Sequence, residues 1–135
     1  MIKKAMPAGR RGFTLIELLV VISIIGILIG ISLFGLQGAR ESSRDAKRKS
    51  DLEMIRGGLE IYKSDCDIYP AGLGSSLVGS GSPTSCAVTN IYISAIPLDP
   101  LDPARVYIYT RLTTSTYTLC ASLEQTEIPY CVTNP

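Results

Sequence analysis

The chain contains no histidine, and its four cysteines form no Cys-x-x-Cys pair. Those absences argue against a zinc site and a thioredoxin-like redox pair. A Gly-x-x-x-x-Gly-Lys phosphate loop and a Gly-x-Ser-x-Gly turn are also missing. No nucleophile stands beside a base, so no enzyme is expected. Asp65 and Asp67 flank Cys66, but their place at an expected helix end suits capping or a solvated turn. A basic excess is lacking as well. Net charge is +1 over 135 residues, with Lys3, Lys4, Arg10 and Arg11 in the first twelve. Without those four, 9 basic side chains face 12 acidic ones, and a nucleic-acid partner is not expected. Proline is absent between Pro7 and Pro70, so nothing of that kind interrupts a long helix.

What is present is uneven. Residues 13–36 hold only four polar side chains, Thr14, Glu17, Ser23 and Ser32. At about 1.5 Å per helical residue this run reaches ~36 Å, enough to cross a bilayer core of ~30 Å. It is longer than the apolar part of a secretory signal, and no Ala-x-Ala site follows it. It is therefore expected to remain as a membrane helix. Gly26 and Gly30 form a Gly-x-x-x-Gly pair, a close-packing signal for apolar helices.

Glu17 is the exception inside this run. A carboxylate in a membrane segment costs on the order of several kcal/mol and usually has a partner. One reading lets it snorkel to interfacial water. In the other, a cut before Phe13 creates an α-amine that a neighbouring subunit's Glu17 can pair with. Residues 11–18 read Arg-Gly-Phe-Thr-Leu-Ile-Glu-Leu. This resembles the prepilin peptidase site of the type IV pilin superfamily, which includes the type II secretion pseudopilins. The resemblance implies cleavage after Gly12, N-methylation of Phe13, and an assembly role for Glu17. It also implies partners: copies of the chain, minor pilins or pseudopilins, the prepilin peptidase and an inner-membrane assembly platform.

The remaining residues predict an α+β, pilin-like fold. Residues 1–12 are a cytoplasmic leader that is removed. Residues 13–36 form a transmembrane or filament-core helix, and 37–64 its amphipathic continuation. Leu52, Ile55, Leu59 and Tyr62 recur at helical spacing and mark its buried face. The polar stretch 39–50 is expected to be an exposed, salt-bridged face, and Gly57-Gly58 to permit close packing. Residues 65–135 form a small head, with a Gly/Ser loop over 71–89 that has no buried face. A helical turn is expected over 91–96. Strands are expected at 105–111 and 116–123, joined by a hairpin at Thr113-Thr114-Ser115.

An even cysteine count beyond a membrane segment suggests two disulfides. Three pairings are possible. Cys66 with Cys86 and Cys120 with Cys131 is favoured, because both close short loops. Asp99-Pro100-Leu101-Asp102-Pro103 resembles the loop in which major pseudopilins bind calcium, and the resemblance implies Asp99 and Asp102 as ligands. The family's Gly-Asn after Asp-Pro is absent here, so these acids are read as turn formers and no cofactor is expected. The function expected is a filament subunit of a type IV pilus or type II secretion pseudopilus. Such a subunit crosses the cytoplasmic membrane once, with its head outside, before entering a filament. The alternative is a monomeric, membrane-anchored binding module outside the cytoplasm.

Overall fold

A computed structural model describes residues 12–126 and 128–135. Of the leader expected over residues 1–12, residues 1–11 lie outside the described residues. Helix α1 (Leu15–Cys66) runs for 52 residues, without a proline to interrupt it. It stops at Asp67, whose φ of 61° is left-handed and whose N–H bonds the Lys63 carbonyl at 3.0 Å. This is a left-handed helix cap in which an aspartate takes glycine's usual place. The Lys63 ammonium also donates to the Asp67 carbonyl.

The chain divides into two compact units after Gly38, and α1 contributes to both. In the first unit, an 18-residue window of α1 has mean hydropathy 2.8 and none of it is buried. By length and composition it can cross a membrane. Its two serines are quiet there: Ser23 Oγ donates to the Leu19 carbonyl at 2.8 Å and Ser32 Oγ to that of Leu28 at 2.9 Å. Back-bonding of this kind satisfies a hydroxyl inside an apolar helix.

The second unit carries five strands: β1 (Leu77–Val78), β2 (Ile91–Ile93), β3 (Ile108–Arg111), β4 (Tyr117–Ala121) and β5 (Tyr130–Thr133). β1 and β2 make one antiparallel pair, and β3-β4-β5 a three-stranded antiparallel sheet. The fold is α+β and pilin-like. Central strand β4 alternates, turning Tyr117, Leu119 and Ala121 inward, as a half-buried strand does. They pack with Leu52, Ile55, Leu59, Tyr62 and Cys66 of α1 to form the core. Tyr69 and Tyr117 meet edge to face at 4.7 Å, and Tyr62 and Tyr92 at 5.2 Å. Two disulfides are present, Cys66 with Cys86 and Cys120 with Cys131. The second joins facing residues of β4 and β5.

Three local expectations are corrected, and one strand had not been expected. Residues 91–93 are a strand, not a helical turn. Their β-branched isoleucines pair with Leu77–Val78 inside the Gly/Ser loop. That loop does have a buried face, formed by Leu77 and Cys86. At Gly79 a Cβ would lie 2.0 Å from the Ala87 carbonyl oxygen, so only glycine lets the two backbones approach this closely. Strand β5 follows a Pro129 that gives no strand signal in advance. Finally, stretch 39–50 is not uniformly exposed: Asp45 and Arg48 are buried. Carboxylates and amides from distant loops close over them.

Candidate functional site

At the N-terminal end of α1, Thr14 and Glu17 form a reciprocal cap. Glu17 Oε2 accepts from the Thr14 backbone N–H at 2.9 Å and from its hydroxyl at 2.8 Å. The Glu17 N–H donates back to Thr14 Oγ1 at 3.3 Å. This is a Thr-x-x-Glu capping box, which satisfies helix donors that otherwise lack partners and places a negative charge at the positive end of the dipole. The Thr-x-x-Glu spacing is the sequence signal that could have announced this cap, and it explains locally why a carboxylate sits there. Gly12 and Phe13 lie just before it, with Phe13 83% exposed. Leu15, Ile16, Leu18 and Leu19 continue the exposed apolar surface. Further along, an added Cβ on Gly26 or Gly30 would meet nothing within 4 Å. The two stand four residues apart and leave a strip where another backbone can approach.

A second polar cluster lies in the head, on residues that the sequence presented only as a helix face and a turn. Arg48 is fully buried. Its Nε and Nη2 donate to the two oxygens of Asp99 at 2.7 and 3.0 Å. Its Nη1 donates to Asp45 at 2.6 Å and to Glu124 at 2.7 Å. Arg44 grips Glu124 from the helix side, with Nε to Oε1 at 2.7 Å. Asp45 also accepts the backbone N–H groups of Glu124 and Gln125, and Asp99 accepts that of Leu101 at 2.8 Å.

These partners set the titration of the cluster. Arg44 beside it, with Arg48, holds the Glu124 carboxyl down at about 2. The Arg48 guanidinium keeps Asp99 below the usual carboxylate range despite burial. Burial pulls Asp45 upward, but the amides of Glu124 and Gln125, together with Arg48, leave it lowered. Arg48 is raised, chiefly by Asp99.

The calcium loop implied for Asp99 and Asp102 does not fit this arrangement. A guanidinium occupies both Asp99 oxygens. Asp102 is exposed and bonds the Asp99 carbonyl through its own N–H, as a turn residue does. Among the described residues no group of three His, Cys, Asp or Glu side chains is placed to hold a metal ion.

Comparison with known proteins agrees with the N-terminal pattern. Residues 7–33 match the family described as the prokaryotic N-terminal methylation motif. The type II secretion system core protein G of Escherichia coli K12 is 38% identical over 96 residues, covering 67% of this chain and 66% of that protein. The protein of the same name from Dickeya chrysanthemi is 34% identical over 100 residues, covering 70% of this chain and 65% of its own length. That from Klebsiella pneumoniae is 38% identical over 97 residues, covering 67% and 69%. The chain thus spans just under two thirds of the first two relatives. No solved structure shows a significant match to the chain. Taken with the capped apolar helix and the small disulfide-bonded α+β head, this similarity means that the chain belongs to the type II secretion system core protein G family of pseudopilins, within the type IV pilin-like superfamily.

Proposed function

We propose that the chain is a structural subunit of a type II secretion pseudopilus, made as a precursor and assembled through its N-terminal helix. Residues 1–12 are the leader, cut after Gly12 by a prepilin peptidase, and Phe13 is then N-methylated. Residues 13–36 cross the cytoplasmic membrane with the N-terminus inside, and later form the filament core. Residues 37–64 continue the helix, and 65–135 form the head on the outer side. One observation carries this assignment: a membrane-length stretch of α1 has no buried side chain. Apolar surface of that extent needs either lipid or the same surface of neighbouring copies. Close approach along Gly26 and Gly30 suits such helix packing.

Glu17 gives the packing its register. Its capping bonds fall on Oε2, and its Oε1 can accept the Phe13 amine of an adjacent subunit. The basic residues after the membrane segment run against the tendency of positive charge to stay inside. That charge is locally offset, since Arg44 and Arg48 pair with Glu124 and Lys47 with Asp51. Partners are other copies, minor pseudopilins and the membrane assembly platform, and no catalytic step is assigned to the chain.

The test is the mature N-terminus. Chain recovered from membranes of a host carrying the peptidase should begin at Phe13 and carry one added methyl group by intact mass. A chain that still begins at Met1, or one cut after residue 36, would rule the proposal out. Sheared surface material should lack long fibres of this chain by electron microscopy, since abundant long fibres belong to a surface pilus.

A further inference from the structure

We propose that Arg48 is the head's resident cation: its guanidinium takes the place of a bound divalent ion among Asp45, Asp99 and Glu124, so the head folds without one. This inference goes beyond the filament assignment and does not depend on it.

Three carboxylates converge here from three separate parts of the chain. Asp45 comes from α1, Asp99 from the loop after β2, and Glu124 from the loop after β4. Buried together without a positive partner, they would repel one another and lose hydration. A small protein can answer that problem with a calcium ion, which takes six to eight oxygen ligands at roughly 2.3–2.6 Å. Here the positive partner is a side chain of the protein itself. Arg48 rises from the same helix as Asp45, one turn on, and is 0% exposed. Its flat fork presents donors on two sides. One side takes Asp99 in a bidentate pair, and the other bridges Asp45 and Glu124.

The acceptor side is equally complete. Each Asp45 oxygen receives a backbone N–H. One Asp99 oxygen receives the Leu101 N–H as well as Arg48. Glu124 Oε1 receives Arg44 and Arg48, and Oε2 receives Arg44. Every carboxylate oxygen in the cluster therefore faces an N–H donor, and the same groups would repel a metal cation. Arg48 also does mechanically what a shared ion would do, tying the Asp99 turn and the Glu124 loop to one point on the helix.

The experiment uses the full chain in detergent micelles, unfolded by heat and followed by circular dichroism with calcium chloride or with the chelator EGTA. The expected result is one midpoint under both conditions. A midpoint that rises with calcium or falls with chelator would overturn the proposal. Two variants examine the charge directly. Arg48→Met should lower the midpoint, and Arg48→Met combined with Asp99→Asn should recover part of the loss by removing one stranded charge. Equal midpoints for the single and double variants would mean that Arg48 acts through packing alone, and would also overturn it. If Arg48→Met fails to fold, the calcium and chelator comparison on the unaltered chain still decides.

Discussion

Glu17 carries two separable properties, an acceptor oxygen and a negative charge. The capping box needs the acceptor, because Thr14 donates to Oε2 through both its backbone and its hydroxyl. Pairing with a neighbour's amine needs the charge. Glu17→Gln keeps a carbonyl oxygen that can accept from Thr14, but it removes the charge. Thr14→Ala does the reverse, weakening the cap by about 1 kcal/mol while leaving the carboxylate. Glu17→Gln is therefore expected to be cleaved and inserted yet to give few filaments, whereas Thr14→Ala assembles at near the unaltered yield. Quantifying crosslinked higher-order species of the chain in the membranes of both strains separates the two roles. Equal yields would confine Glu17 to helix capping. The tyrosines of the head show a similar division between ring and hydroxyl. The rings of Tyr69 and Tyr117 lie in the core while their hydroxyls donate to Glu60. Tyr107 donates to Asp51 and Tyr130 to Glu53. Acids on α1 thus receive the polar ends of side chains that come from the sheet and its approaches, so the aromatic bodies are buried without orphaned hydroxyls.

Helix and strand approach closely at one member of a glycine pair. A Cβ on Gly58 would stand 2.4 Å from Ile93 Cγ1, whereas one on Gly57 would meet nothing within 4 Å. Gly58 therefore lets β2 lie against the helix, and Gly57 has no such task. Both positions are helical, so alanine gains up to ~1 kcal/mol of intrinsic helix stability at either. At position 58 that gain is outweighed, because forcing a β-branched side chain aside costs typically about 1–3 kcal/mol. Gly57→Ala is expected to raise the unfolding free energy by roughly 0.5–1 kcal/mol, and Gly58→Ala to lower it by about 1 kcal/mol. Denaturant titration of both variants should move the midpoints in opposite directions. Equal shifts would show that the Ile93 contact carries no energy.

At the scale of the head, the Arg44, Arg48, Asp45, Asp99 and Glu124 cluster links fold stability to acidity. Arg105 adds positive potential at Asp99, and Tyr107, bonded to Asp51, faces the same region. Asp45, Asp99 and Glu124 all titrate below their usual range in the folded protein. A carboxyl lowered by folding contributes stability that is complete above its unfolded value, roughly 4. That contribution is lost as pH falls through the folded value, which for Glu124 is about 2. The melting midpoint should thus be flat near neutrality and fall progressively between about pH 4 and pH 2. Glu124→Gln should flatten that acid slope and lower the midpoint at neutral pH. Melts over a pH series in detergent check both effects, and an unchanged slope in the variant would remove Glu124 from the linkage.

Legibility followed the range of the interaction. Leu52, Ile55, Leu59 and Tyr62 were readable as one helix face because helical periodicity is local, and all four lie in the core. Strands β3 and β4 were readable from alternation and a short connection. Strands β1 and β2 were not, because a two-residue strand in a Gly/Ser loop exists only through its partner and the backbone approach at Gly79. Arg48 gave still less sign of its role. In the sequence it is one cation among several on a mixed-charge helix. Its partners Asp99 and Glu124 stand 51 and 76 residues away.

The sequence alone therefore determined the class of the protein. Uninterrupted apolarity, one acid near its start and the Gly-Phe junction are contiguous properties, and their consequences need no distant residue. Tertiary structure decided how charge is arranged in the head. It brought carboxylates from three segments around one guanidinium, and this depends on chain reversals that local pattern does not encode. For that reason the Asp99 loop, read from the sequence only as a turn with a weak resemblance to a calcium loop, is held by an arginine of the helix.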